Sequence, residues 1–403
     1  MSSNWLNKIF SKLSAKLRSK FMSRFSRRVV VKGDPVFLGF WKDISERAKA
    51  EGSPLYVLAP MADVTDCAFR KMINKYGKPD VTWTEFVSAD GLMRATPEGK
   101  AKLMRDLLFN LKDENGEFID ERPIVAQLFS SNPEYMKQAC KLVAELGFDG
   151  IDINMGCPDK SIEKQGCGSA MIKTPKKAQE IVRAAKEGAV RPDGTRIPVT
   201  VKTRIGYNKN ELETWLPALL EAGPAAITVH ARTRKEMSKV PARWEHVARA
   251  VEIRDEFFSH YTDAAQKTLI LGNGDVLSIQ DGYEKCKTTG ADGAMLGRAI
   301  FGNPWLFKNL NNNGVVTTGG TDAATLGAPG PAYIPTLKEK LDVMVEHTQE
   351  FEKRLGDIKN FAIMKKHYKA YVNGFDGAKE LRMELMEKGG NSREVKEVVD
   401  RFI

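Results

Sequence analysis

The sequence predicts an α/β fold, a TIM (β/α)8 barrel followed by a smaller all-helical C-terminal domain. Three observations lead to this prediction. Eight short apolar runs alternate with amphipathic helical stretches over roughly 250 residues, the count and length of such a barrel. Polar residues follow the ends of these runs. After residue 304 the alternation stops, and residues 335–402 keep only the three- and four-residue spacing of helices.

The eight predicted strands are short runs rich in β-branched and apolar residues. They are 55-LYVLAPM, 81-VTWTEFV, 124-IVAQLF, 150-GIDINMGCP, 198-PVTVKTRIG, 226-AITVHAR, 268-TLILGNGD and 293-GAMLGRA. Between them lie helical stretches such as 134-EYMKQACKLVAELG and 175-PKKAQEIVRAAKEG, each ending at a Gly that suits a left-handed cap. An open doubly wound sheet would need a Gly-rich first turn, which 59-APMA is not.

The chain divides into four segments. Residues 1–34 form a basic arm, 35–310 the barrel, 311–331 a flexible linker or insertion, and 332–403 the helical domain. The linker is rich in Asn, Gly, Thr and Pro, which favours irregular structure.

The net charge of +10 belongs mainly to the arm, where residues 1–33 hold nine Lys or Arg and no acidic residue. Apolar residues recur there at helical spacing, which predicts an amphipathic helix. Such a segment suits an organellar transit peptide, a helix on an anionic membrane, a phosphate contact, or a solvated tail. We expect a cytoplasmic protein, with organellar targeting by the arm left open.

Composition excludes several classes of protein. Hydrophobic residues at 42% and charged residues at 28% are globular values, which excludes wholesale disorder. The longest apolar runs have strand length, so a transmembrane helix is not predicted. Five cysteines suit a reducing compartment. No Cys-x-x-Cys pair or histidine cluster is present, so we expect no metal site.

In a TIM barrel the working residues follow the carboxyl ends of the strands. Gly274, Gly297 and Arg298 follow strands 7 and 8, where such barrels commonly bind phosphate. Lys202 ends a strand inside the barrel, where an isolated cation usually meets an anion. His230 also ends a strand, although a lone histidine is more often part of a core.

Cys157 is the candidate for chemistry at the mouth. Cys67, Cys140 and Cys286 lie in helical stretches and are expected to pack as small hydrophobes, whereas Cys157 follows a strand in 154-NMGCP. No base is near it in sequence, so it is interpreted as a proton donor rather than a nucleophile. Cys167, in 166-GCG, is either a small loop residue or a second candidate donor.

These strand ends resemble those of the tRNA-dihydrouridine synthases, flavin enzymes that reduce a uridine of tRNA. The matching stretches are 59-APMADVTDCAFR, Gln127, 154-NMGCP, 166-GCGSAMI, 201-VKTRIG, 229-VHARTR, 272-GNGDV and 296-LGRAIFGNPWLF. The match covers about residues 54–310, and the helical tail is similar to the family's RNA-binding domain. Cys167 departs from the family pattern, where a small residue such as Ala is usual.

The resemblance implies FMN as the cofactor, NADPH (or NADH) as the reductant and tRNA as the substrate. It implies that hydride reaches uracil C6 and that Cys157 protonates C5. Arg204, Arg232 and a patch of helical-domain lysines are expected to contact the RNA, and Asn154 the uracil. The implied cofactor residues are Pro60, Met61, Ala62, Gln127, Lys202, His230, Asn273, Gly274, Asp275, Gly297 and Arg298. The lysines of the patch are Lys365, Lys366 and Lys369, beside Tyr368 and Tyr371.

Three alternatives remain open at this point. Another FMN-dependent barrel acting on a free pyrimidine would use similar phosphate loops without needing the helical domain. A phosphate-binding isomerase or lyase barrel would hold no flavin. An inactive RNA-binding factor would not need Cys157, Lys202 and His230 together. We also expect a monomer.

Overall fold

A computed structural model describes residues 33–110, 112, 116, 118, 120–259, 261, 266–308, 310 and 328–403. The predicted arm lies almost wholly outside these residues, as do residues 311–327 of the predicted linker. Residues Asp34–Ile403 form one compact unit. No helix in the described part of the chain is long and apolar enough to span a bilayer.

Eight parallel strands form one sheet, and each of them lies inside one predicted run to within one residue. They are β1 Leu55–Leu58, β2 Thr82–Ser88, β3 Ile124–Phe129, β4 Gly150–Met155, β5 Val199–Arg204, β6 Ala226–His230, β7 Leu269–Asn273 and β8 Gly293–Leu296. The order is β1-β8-β7-β6-β5-β4-β3-β2. A parallel bridge between Val57 and Val81 joins β1 to the start of β2, so the sheet closes and the predicted barrel is confirmed.

The strands carry continuous apolar runs because both faces of the sheet are covered. Every residue of β1, β3, β4, β7 and β8 is buried. Since all eight strands are parallel, their carboxyl ends meet at one mouth, and the loops that follow them share that end of the barrel.

Ten α-helices of the described residues belong to the barrel region and four to the C-terminal region. The first ten are α1 Phe40–Ala50, α2 Cys67–Tyr76, α3 Ala89–Arg94, α4 Pro97–Asp106, α5 Pro133–Glu145, α6 Lys160–Glu163, α7 Pro175–Gly188, α8 Leu212–Glu221, α9 Glu245–Phe258 and α10 Ile279–Thr289. The other four are α11 Leu337–Leu355, α12 Ala362–Tyr371, α13 Ala378–Lys388 and α14 Ser392–Phe402. Short 3₁₀ helices cover Gly168–Lys173 and Arg298–Ile300.

The two predicted glycine caps differ in the structure. Gly147 follows α5 with φ +89°, as expected for a left-handed cap. Gly188 instead lies inside the last turn of α7, and the prediction of a left-handed cap there was wrong. A Cβ at Gly188 would lie 2.1 Å from the carbonyl oxygen of Lys137 in α5. This glycine therefore permits two neighbouring helices to approach closely.

The helical region packs directly on the barrel. A capping box of Thr336 and Glu339 starts α11. Buried α11 residues share one apolar cluster with Cys67, Ala68 and Met72 of α2. Two ion pairs cross the same interface, Lys71–Glu350 and Lys75–Glu346, each at 2.7 Å.

Candidate active site

A cavity of about 510 Å³ opens at the barrel mouth, a size that suits a cofactor. Its wall contains nine of the eleven residues predicted to bind the cofactor: Pro60, Met61, Lys202, His230, Asn273, Gly274, Asp275, Gly297 and Arg298. The two exceptions are Ala62, which is exposed beside the cavity, and Gln127, which is buried in the barrel. The register of the sheet therefore brings these strand ends together.

One end of the cavity is built around the carboxylate of Asp275. One of its oxygens accepts hydrogen bonds from Arg232 Nη2 and from the backbone N–H of Ala242. The other accepts from Arg298 Nη2 at 2.6 Å. The two guanidinium groups hold the pKa of Asp275 below its usual value, with the Arg232 hydrogen bond first among the causes. Because two arginines share one carboxylate, this end of the cavity has a net positive charge, which favours the binding of an anion.

His230 lies beside this end of the cavity and is neutral. Burial lowers its pKa well below the ordinary value, and the nearby charges of Lys202, Arg204 and Arg232 lower it further. Gly274 has φ +115°, and a Cβ there would lie 3.0 Å from the His230 ring and 2.8 Å from Ala242 Cβ. Only glycine lets the β7 loop pass so close to the imidazole.

Lys202 supplies a cation on the cavity wall at the end of β5. Its Nζ donates to Asn273 Oδ1 at 3.1 Å, and Asn273 Nδ2 donates to the Met295 carbonyl at 2.9 Å. Asn273 thereby fixes the ammonium relative to β7 and β8. Burial lowers the pKa of Lys202 to about 8, so its charge changes close to neutral pH.

The loop that carries Cys157 is held from two sides. Asn154 Oδ1 accepts from the backbone N–H of Gly156 at 3.1 Å and of Cys157 at 2.9 Å. The Cys157 carbonyl accepts from the N–H and the hydroxyl of Ser169, both at 2.9 Å. Gly168 has φ +59°, and a Cβ there would lie 2.6 Å from that carbonyl. The glycine-rich loop after α6 is thus a support for the cysteine loop.

Cys157 is the only one of the five cysteines that is not buried. Cys67, Cys140 and Cys286 pack in the core, as predicted. Cys167 is 1% exposed, and its thiol lies 3.6 Å from the Gln165 carbonyl oxygen. Partial burial raises the pKa of the Cys157 thiol, so it stays protonated at neutral pH and can serve as an acid.

A buried chain of polar groups leads to the cysteine loop, and sequence reasoning missed its first member. Asp152 accepts from Gln127 Nε2 and from Thr200 Oγ1, both at 2.6 Å, and Gln127 Oε1 accepts from Asn154 Nδ2 at 3.0 Å. Burial raises the pKa of Asp152 to about 6. The spacing could have revealed Asp152, because it lies two residues before Asn154 on the same strand face. A carboxylate in a fully buried strand needs partners.

Arg204 was predicted to contact tRNA, but its guanidinium group has protein partners. It is 7% exposed, and it donates to the carbonyl oxygens of Gly156, Thr233 and Met237. Arginine at a strand end meets several loop carbonyls that the sheet leaves free, and its five donors can satisfy them together. Arg232, also predicted to contact tRNA, is 3% exposed and is occupied by Asp275 and the Val240 carbonyl.

The lysines predicted on the helical region differ in accessibility. Lys365 Nζ donates to the Met386 carbonyl at 2.7 Å and is therefore committed to the fold. Lys366 and Lys369 are exposed. Tyr368 and Tyr371, expected beside them, are fully buried and contribute to the core instead. In the described residues, no group of three or more His, Cys, Asp or Glu side chains could hold a metal ion.

Known proteins resemble this chain over most of its length. The family model for dihydrouridine synthase (Dus) matches residues 57–403. A probable tRNA-dihydrouridine synthase of Staphylococcus aureus (strain MRSA252) is 35% identical over 90% of this chain and 95% of its own. Probable tRNA-dihydrouridine synthase 2 of Bacillus subtilis (strain 168) is 34% identical over 90% and 96%. Among solved structures, morphinone reductase in complex with tetrahydroNAD aligns at 13% identity with a TM-score of 0.39, over 69% of this chain and 90% of that chain.

The predicted enzyme class is confirmed by these matches, which span the barrel and the helical region alike. The relatives align over nearly their whole length, so the likeness is not confined to a shared barrel. The chain belongs to the dihydrouridine synthase family.

Proposed function

We propose that this chain reduces uridines of tRNA to 5,6-dihydrouridine at the barrel mouth, with FMN held in the cavity and Cys157 as the acid. The observation that carries the proposal is that the one accessible thiol, Cys157, follows β4, the strand that pairs with the strand of Lys202. Asn154 of β4 pairs with Lys202 of β5 in the sheet, and Cys157 follows three residues later. A cationic cavity and a protonated thiol thus lie on adjacent strand ends.

The cavity residues fit a flavin mononucleotide. The cavity wall contains three cations, Lys202, Arg232 and Arg298, and one carboxylate, Asp275, which the two arginines contact. The wall therefore carries a net positive charge for a phosphate. We assign the phosphate to the end with Arg298 and Gly274, and the ring to the end with Met61 and Lys202. When bound, the flavin supplies the hydride that adds to C6 of the uracil.

The chain's own residues do the remaining work. The Lys202 ammonium stabilises negative charge on the bound ring, an electrostatic contribution. Cys157 delivers its proton to C5 of the uracil, and the buried chain from Asp152 through Gln127 and Asn154 fixes the loop from which it acts. We therefore assign Gln127 and Asn154 to positioning, in place of the direct contacts predicted for them.

The substrate must be extruded from the folded RNA before it can reach this cavity. We assign phosphate contacts to the exposed Lys366 and Lys369, and we assign Arg204 and Arg232 to the support of the site. A nicotinamide dinucleotide, NADPH or NADH, is the proposed reductant. Enzymes that act on a free pyrimidine do not need the helical region that packs on α2.

The test is a reconstitution. Purified protein, loaded with FMN and given NADPH, should form dihydrouridine in tRNA from cells that lack this gene, and the same tRNA from cells that have it should already carry the modification. Free uracil and orotate serve as competing substrates. Failure to acquire flavin absorbance after reconstitution, or turnover of a free pyrimidine but not of tRNA, would contradict the proposal.

A further inference from the structure

The carboxylate of Glu85 joins the cavity wall to the helical region. Glu85 lies in β2, where the register with β3 shifts between Trp83 and Phe86, and it is 5% exposed. Its Oε1 accepts from the backbone N–H of Asp63 at 2.6 Å, and its Oε2 accepts from Lys359 Nζ at 2.5 Å. Register shifts of this kind change the direction in which a side chain points, and they are frequent next to active sites.

Asp63 belongs to the turn that places Met61 in the cavity wall. The Met61 carbonyl accepts from the N–H groups of Val64 and Thr65 at 3.2 and 3.0 Å, and Met61 N–H donates to Thr65 Oγ1 at 3.0 Å. Within this turn Asp63 has φ +53°, a left-handed conformation that costs free energy for a residue other than glycine. The bond from Asp63 N–H to Glu85 is one of the contacts that hold it there.

Lys359 reaches Glu85 from the segment between α11 and α12. Its side chain is 14% exposed, and its ammonium also pairs with Asp106 at 3.1 Å. Burial raises the pKa of the Glu85 carboxyl to about 7, and the Lys359 charge opposes that rise. The charge on Glu85, and hence its strength as an acceptor, depends on a residue of the helical region.

We propose that Glu85 is a positioning residue that couples the helical region to the cofactor cavity: Lys359 holds the Glu85 side chain in place, and Glu85 holds the Met61 turn in the shape that completes the cavity. The inference rests on the proposed function only for the identity of the ligand, FMN. Coupling of this kind is reciprocal, so a ligand that needs the ordered turn also strengthens the docking of the helical region.

The test compares two lysines that cross the same interface. K359M removes the partner of Glu85. K71M is the control, because Lys71 is buried even more deeply than Lys359, is paired across the interface with Glu350, and does not contact Glu85. For the cofactor-free proteins we would measure hydrogen exchange at the Asp63 amide, and by titration the dissociation constant for FMN.

K359M should raise the dissociation constant roughly 3- to 30-fold and speed exchange at Asp63, whereas K71M should leave both within about twofold of the wild type. The double variant K359M/E85Q should recover most of the affinity, since a glutamine oxygen still accepts from Asp63 and no buried carboxylate lacks a partner. E85A, which leaves Lys359 paired with Asp106, should weaken FMN binding as K359M does. If K359M does not fold, E85A replaces it in both measurements.

Equal effects of K359M and K71M on both measurements would overturn the coupling, as would a wild-type exchange rate at Asp63 in E85A. The failure of the proposed function looks different. A wild-type protein that binds no FMN would remove the proposed cofactor, while faster exchange at Asp63 in K359M but not in K71M would still support the coupling.

Discussion

At the scale of single residues, accessibility separates two thiols that the sequence left open. Cys157 and Cys167 both lie in mouth loops, but Cys167 is buried, and burial raises its pKa to about 11. Cys167 also packs in the small apolar cluster with Phe129 and Ile162, against which Cys157 rests. A proton donor must reach its substrate, so the structure favours Cys157.

We expect C157A to bind FMN and to accept hydride from NADPH while dihydrouridine formation falls by at least about 100-fold, the usual contribution of a positioned acid. C167A, which removes the other thiol of the cluster, should retain turnover within a few-fold. Single-turnover assays that follow flavin absorbance and tRNA product separate the two steps. Normal product formation by C157A, together with loss of it in C167A, would reassign the acid to Cys167.

The ionisation of Lys202 should appear in the pH dependence of cofactor binding. Because burial lowers its pKa to about 8, the ammonium is present below pH 8 and is lost as the pH rises above it. FMN affinity of the wild type should therefore decline between pH 7 and pH 9, measured by fluorescence titration at constant ionic strength. K202M should bind more weakly and show no such decline; an equal decline in K202M would locate the titrating group elsewhere.

At the scale of elements, the barrel depends on close contacts between neighbouring helices. The 2.1 Å between a Cβ at Gly188 and the Lys137 carbonyl oxygen is far below any tolerated contact, and the obstacle is backbone. Alanine favours a helix over glycine by about 1 kcal/mol, so two opposing effects meet at this position. The clash should dominate, because neither α5 nor α7 can move without disturbing the core beneath it.

We expect G188A to lower the free energy of unfolding by about 1–3 kcal/mol, the usual cost of overpacking. G99A in α4 is the control, since Gly99 lies in a helix in which no residue is buried. It should not be destabilised, and the helix preference of alanine should raise its free energy of unfolding by up to about 1 kcal/mol. Urea denaturation followed by circular dichroism gives both values. A G188A protein as stable as the wild type would mean that the two helices separate without cost.

At the scale of the whole molecule, a pair of buried histidines lies where the barrel meets the helical region. His347 of α11 and His367 of α12 are fully buried with ring centroids 4.7 Å apart, and none of their four ring nitrogens has a hydrogen-bond partner. Phe69 and Phe301 of the barrel region pack against His367. Burial, together with the nearby charge of Lys366, lowers the pKa of His367 to about 4.

The pair should make the protein acid-sensitive. His367 has a lowered pKa in the folded protein and an ordinary pKa in the unfolded chain, so at acid pH the unfolded state binds more protons. The free energy of unfolding is therefore fully retained above about pH 6.5 and falls as the pH drops toward 4. His367 alone should lower the free energy of unfolding by about 3 kcal/mol between pH 6.5 and pH 4. The free energy of unfolding, measured by urea denaturation from pH 4 to 7, should depend less steeply on pH in H367F than in the wild type. An unchanged pH dependence in H367F would exclude His367 as its cause.

Much of the fold followed from periodicity, because parallel strands covered on both faces must be continuous apolar runs. Each of the eight runs corresponds to a strand, and residues 335–402 contain four helices. The prediction was wrong at Gly188, because a sequence does not show how close a neighbouring helix will come. The limits of the predicted arm and linker lie largely outside the described residues and stay predictions.

The amino-acid pattern alone determined the barrel, the family and most of the cavity wall, since parallel strands bring residues that follow strand ends to one mouth. Only the tertiary structure decided how the polar groups there divide their hydrogen bonds. In the structure Arg204 donates to loop carbonyls, Arg232 pairs with Asp275 and Glu85 pairs with Lys359, and these partners are between 29 and 274 residues apart in the chain. Such pairings depend on distances across the closed barrel and its helical neighbour, and no local spacing encodes those distances.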